Sequence, residues 1–149
     1  MDLDKVVKVA GELVKIMSLQ DWTISIDILD KEEFIEAGGA EDELGFNMYV
    51  PSYFLSDICI NKEYVSDWYE TLVHELYHLK VRESIDFSKM LIQQHKGRTK
   101  KTYKDKIKEL EERLVSQMTS IFVSVYPQSN FDEILQPKVT AYIEYNGNN

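Results

Sequence analysis

The sequence predicts an α+β domain in which a small, mostly antiparallel sheet packs against two long helices. Three observations carry that expectation. Apolar residues recur with helical spacing at the start of the chain, alternate every second residue further on, and return to helical spacing in the second half. With 149 residues, 44 % of them apolar, the chain can bury one sizeable core, and residues 1–149 are expected to form a single domain with a frayed tail at 145–149.

Each element follows from its local pattern. Leu3, Val6, Val7, Ala10, Leu13, Val14 and Met17 fall on one stripe, which predicts an amphipathic helix over residues 2–17. In DWTISIDIL, Trp22, Ile24, Ile26 and Ile28 alternate with Thr23, Ser25 and Asp27, the period of a strand with one buried face. The acidic stretch DKEEFIEAGGAEDE contains Gly38-Gly39 and reads as a short helical turn followed by a flexible connector. LGFNMYV and LSDICIN flank Pro51-Ser52-Tyr53 and read as two short strands joined by a turn, because Pro51 cannot donate to a central ladder.

Helical spacing returns over residues 64–82, with Val65, Trp68, Leu72, Leu76 and Leu79 on one side and His74 and His78 on another. A second long helix is predicted over residues 103–126, with Ile107, Leu110, Leu114, Met118, Ile121 and Val125 as its stripe and Pro127 as its stop. Between them, FSKMLIQQHKGRTKKT reads as an apolar patch followed by a basic loop, and KVTAYIEY after Pro137 reads as a last strand.

Composition narrows the function classes. A net charge of -9 argues against a generic nucleic-acid binder, which carries an excess of Lys and Arg. Cys59 is the single cysteine, so an internal disulfide and a multi-thiolate zinc site are both excluded, and a reducing compartment is favoured. The first residues are acidic and periodic rather than basic and continuously apolar, and no apolar run approaches the roughly 20 residues that span a bilayer. A cytoplasmic protein without a membrane partner is expected.

Chemistry concentrates in TLVHELYHLKV, residues 71–81, which holds two of the 3 histidines. On a helix, residues four apart stand one turn above each other, so the imidazoles of His74 and His78 can converge on one ion. Glu75 lies about 100° round the helix from His74, beside such an ion, where it can accept a proton from bound water as general base. H-E-x-x-H on a helix is a zinc-hydrolase signature for these reasons, and Zn²⁺ is the expected cofactor. Coincidence would produce the pattern in roughly one such sequence in a hundred or fewer, and the flanking apolar residues would bury imidazoles that are costly to leave unpaired.

A third protein ligand is needed. A continuation with glycine and histidine is excluded by Val81 and Ser84. His95, in QQHKGR, is one alternative, and KELEERLVSQM offers Glu111 and Glu112. Glu111 projects nearer the centre of the predicted stripe and Glu112 nearer its edge. A ligand must face a cleft, so Glu112 is preferred, with Val115 and Ser116 one turn on as supports and with Glu111 and His95 kept as alternatives. Tyr77, Tyr103 and His95 are the candidate oxyanion donors.

The combination of ICIN, a helix with TLVHELYHL, and the glutamate helix EERLVSQMTSIF resembles the minimal gluzincin-type metallopeptidases, including small phage and prophage enzymes and, more distantly, the ImmA/IrrE-type peptidase domain. The chain departs from the distant pattern at Val115, Met118 and Thr119 and in the long linker between His78 and Glu112. The resemblance implies hydrolysis of peptide bonds in a peptide or protein substrate. It also implies that the strand before the motif, residues 57–61, borders the cleft as an exposed edge and pairs with an extended substrate. The tract HKGRTKKTYKDKIK invites a second comparison, with SprT-like metalloproteases, through His95-Lys96-Gly97. That comparison sustains an alternative function, a zinc-stabilised protein- or DNA-associated binding module, for which residues 96–108 would be the nucleic-acid contact.

Overall fold

The computed structural model describes residues 2–93, 97–131 and 133. The fold is α+β. Helix α1 (Leu3–Ile16) starts where the Asp2 carboxylate accepts the Asp4 N–H at 3.1 Å, and it buries Val6, Val9, Ala10 and Leu13. Strand β1 (Thr23–Leu29) keeps the predicted alternation, with Ile26 buried and Thr23, Ser25 and Asp27 exposed. Helix α2 (Lys31–Glu36) is the short helical turn of the acidic stretch, closed by a reciprocal Asp30–Glu33 capping box, with Phe34 buried.

Strands β2 (Gly45–Val50) and β3 (Leu55–Asn61) are joined by a 3-10 turn over Pro51–Tyr53, with Phe54 in the left-handed region. The sheet has the order β1-β3-β2 and is mixed: β3 pairs parallel with β1 and antiparallel with β2. The expected exposed edge at residues 57–61 is therefore corrected, since β3 is the central strand with a protein neighbour on each side. Its near-continuous burial from Ile58 to Asn61 is what a central strand requires, and the uninterrupted ICI is its trace in the sequence. Among the described residues, the edge strands of the sheet are β1 and β2.

A 3-10 stretch (Lys62–Asp67) leads into α3 (Trp68–Ile92), and α4 (Gly97–Val125) follows. Both long helices extend into the segment expected to be a loop. Residues 83–92 contain no proline or glycine to stop α3, and the basic residues after Gly97 ride on the first turns of α4. Trp68, Leu72, Leu76 and Leu79 are buried as predicted. The predicted stripe of α4 is not: Leu110, Leu114, Ile121 and Val125 are 39 to 65 % exposed, and the inward face carries Glu111, Val115, Thr119 and Phe122. The helices run antiparallel, since Tyr69 near the start of α3 donates to the Tyr126 carbonyl beyond the end of α4 at 2.5 Å, while His78 meets Glu111.

One core joins α1, the sheet and the inner side of α3 through Leu13, Ile58, Ile60, Leu72 and Leu76. Among the described residues no helix is long and apolar enough to cross a membrane. The predicted last strand after Pro137 and the candidate ligand His95 lie outside the described residues.

Candidate metal centre

The middle of α3 forms the floor of an open cleft of about 1040 Å³, walled on one side by β2 and on the other by α4. Gly45 allows the β2 wall to come close. A Cβ there would stand 2.6 Å from Thr71 Cγ2 and 3.0 Å from the Cys59 carbonyl oxygen, so a larger residue would push the strand away from α3.

The α3 spacing brings the two imidazoles together, with His74 Nε2 and His78 Nε2 3.2 Å apart. Glu112 enters from α4, its Oε2 lying 3.7 Å from each of these nitrogens. Zinc ligands at about 2.0–2.1 Å in a tetrahedral array stand about 3.3–3.4 Å apart. A point equidistant from the three donor atoms lies about 2.1 Å from each, so the donor set has the size and chemistry that Zn²⁺ takes.

Glu111 does not join this cluster. It is buried against the opposite ring nitrogen, with Oε1 3.2 Å from His78 Nδ1, and its Oε2 is 3.8 Å from Lys89 Nζ. A carboxylate at Nδ1 fixes the tautomer that leaves Nε2 as a lone-pair donor. The hydrogen bond from His78 holds the Glu111 carboxyl below its ordinary range against the opposing effect of burial, with Lys89 assisting. Burial pulls His78 down, but the hydrogen bond to Glu111 and the charges of Glu75, Glu112 and Glu111 together leave it above its usual value. Burial and then His78 hold His74 below its usual value, against the opposing charge and hydrogen bond of Glu112.

Glu75 sits next to the cluster and is buried, and burial pushes its carboxyl up to about 7. Asn47, on β2, donates to Glu75 Oε2 at 2.8 Å and to the Glu75 carbonyl at 3.2 Å, tying the strand to the motif helix. Sequence reasoning missed Asn47. Its signal was an amide in the middle of a strand pattern, a place where Asn is depleted unless it has work to do. It also missed Arg82, one turn beyond His78, whose guanidinium stands 4.1 Å over the Tyr49 ring and donates to the Tyr49 hydroxyl and to Asp86. Of the expected oxyanion donors, Tyr77 packs on Phe122, Tyr103 is not among the described residues lining the cleft, and His95 lies outside the described residues; Tyr49 lines the cleft.

The fold and the donor set together define a small α+β protein with a two-histidine, one-carboxylate cluster of metal-ligand geometry and a buried glutamate beside it. No family model matches the chain, and no curated protein or solved structure matches it either.

Proposed function

We propose that the chain is a zinc-dependent metallopeptidase with His74, His78 and Glu112 as ligands and Glu75 as general base. The observation that carries the reading is the convergence of three donor atoms 3.2 to 3.7 Å apart beside a buried carboxyl shifted to about 7. A bound zinc ion would supply Lewis acidity toward the scissile carbonyl and lower the pKa of water. Everything else is work for this chain. Glu111 orients His78 through Nδ1, and Asn47 holds one oxygen of Glu75 and leaves the other to move a proton. Beside a bound ion, Glu75 would be placed to take a proton from the attacking water and return it to the leaving amine. The edge of β2, which lines the cleft, offers backbone groups to which an extended peptide can pair. A cytoplasmic location fits the single buried, unpaired Cys59.

The test is Glu75→Gln assayed with zinc bound. Peptide hydrolysis should fall by at least about 10²-fold, the scale of a lost general base, while zinc stoichiometry stays that of the wild type. Equal turnover in both proteins would remove Glu75 from the reaction. No turnover in a fully zinc-loaded wild type, over a broad peptide library, would favour the binding-module reading.

A further inference from the structure

The cleft is electrically polarised along its length. Glu70, on α3, precedes His74 by one helical turn; Asp67, at the end of the 3-10 stretch before α3, stands seven residues before it; and both line the cleft. On α4, Lys108 precedes Glu112 by one turn and Lys104 by about two, and both line it as well. Because the helices are antiparallel, these pairs fall on opposite sides of the donor cluster. Glu43, just before β2, joins the acidic end, since Gly45 lies against Thr71 at the start of α3. Lys89, from the last turns of α3, joins the basic end, where Asp105 and Glu111, the latter 3.8 Å from Lys89 Nζ, are opposing charges. Glu70, Lys104 and Lys108 are exposed and make no ion pair among the described residues.

From this arrangement we propose that the cleft selects charge-polarised peptides, with acidic side chains on one side of the central bond and basic side chains on the other. The proposal names the substrate class of the peptidase reading and rests on it for the position of the reacting bond. One and two helical turns are about 5 and 11 Å along the cleft, and an extended peptide advances about 3.3 Å per residue. The selected charges therefore fall about two to three residues from the bond over His74 and His78. Lys104 and Lys108 would meet carboxylates, and Glu70, Asp67 and Glu43 would meet Lys or Arg. An overall charge of -9 repels acidic peptides from most of this protein, so the basic end is a local exception that an acidic segment can find.

The experiment separates binding from turnover. Zinc-loaded Glu75→Gln protein is titrated, by fluorescence anisotropy at low salt, with labelled peptides of about eight residues: acidic-then-basic, basic-then-acidic, all-acidic, all-basic and uncharged. One of the two polarised peptides should bind about tenfold tighter than the uncharged, all-acidic and all-basic ones, and the advantage should shrink as salt rises. Combining Lys104→Glu with Lys108→Glu should move the preference to the all-basic peptide, and Lys104→Gln with Lys108→Gln should abolish it. Both pairs are at exposed helix positions, and circular dichroism checks that the helices remain. Uncharged peptide binding as tightly as the polarised ones, or a preference unmoved by the lysine variants, overturns the proposal. Wild-type cleavage of all five peptides alike also overturns it while leaving the peptidase reading in place. Charge-selective binding without turnover supports the proposal and overturns the peptidase reading.

Discussion

Helices α1 and α4 pack onto the molecule in different ways. α1 presses Val6, Val9, Ala10 and Leu13 into the core, each no more than 4 % exposed, and turns Lys5, Lys8 and Glu12 toward solvent or its border; contrary to the predicted stripe, Leu3 and Val7 at its margin are exposed. α4 turns Glu111, Val115, Thr119 and Phe122 inward and leaves Leu110, Leu114, Ile121 and Val125 on the outside. Against an apolar sheet and helix, the inward face is whatever buries most hydrocarbon. Against a helix that presents His74, Glu75 and His78, the inward face must bring partners for imidazoles, and a buried Glu111 with a hydrogen bond replaces a leucine. A helix bordering a polar cleft is oriented by its polar obligations as well as by its apolar stripe.

That contrast is open to measurement, and the largest effect is expected in α1. Leu13→Ala, at a fully buried position, should cost about 3 kcal/mol in urea denaturation and leave zinc affinity unchanged. A loss below about 1 kcal/mol would mean that α1 is not anchored in the core as described.

Zinc is the next probe. At about 100 times its dissociation constant it should stabilise the wild type by about 2.7 kcal/mol, read as a rise in melting temperature that a chelator reverses. His74→Ala, His78→Ala and Glu112→Ala should each abolish the rise. If Glu112→Ala keeps it, another residue is the third ligand and the α4 wall is misassigned.

Glu111→Ala should weaken zinc binding by about 10- to 100-fold in titration calorimetry, and Glu111→Gln should retain most of the affinity because an amide oxygen still accepts from His78 Nδ1. Equal losses in both variants would show that charge, not orientation of the imidazole, is what Glu111 contributes.

The smallest effect is predicted for the outer face of α4. Leu114→Ala should change stability by less than about 0.5 kcal/mol, since the side chain is 43 % exposed. A core-sized loss would reveal that this face is covered in solution and would erase the contrast with α1.

Much of this molecule was legible in local pattern. The α1 helix with Val6, Ala10 and Leu13 on its inner face, the alternation in β1, the short helical turn of the acidic stretch and the i, i+4 histidines are each set by residues within a turn or two of one another, so reading a few consecutive positions is enough, although Leu3 and Val7 of the predicted α1 stripe are 42 and 48 % exposed. The order of the strands was not legible in the same way. LSDICIN and LGFNMYV are both short apolar runs, and which becomes the edge depends on the parallel partner that β1 supplies from residues 23–29.

The sequence by itself determined that His74, Glu75 and His78 share one helix with ligand spacing, because helical geometry alone fixes their separation. Only the tertiary structure decided which glutamate meets them. Glu111 and Glu112 are neighbours in the chain, about 100° apart on α4, and the rotation of that helix against α3 puts Glu112 at the two Nε2 atoms and Glu111 behind His78 at Nδ1. That rotation balances burial of Val115 and Phe122 against exposure of Leu110 and Leu114, a sum over contacts with residues more than 30 positions away, and no window of sequence contains it.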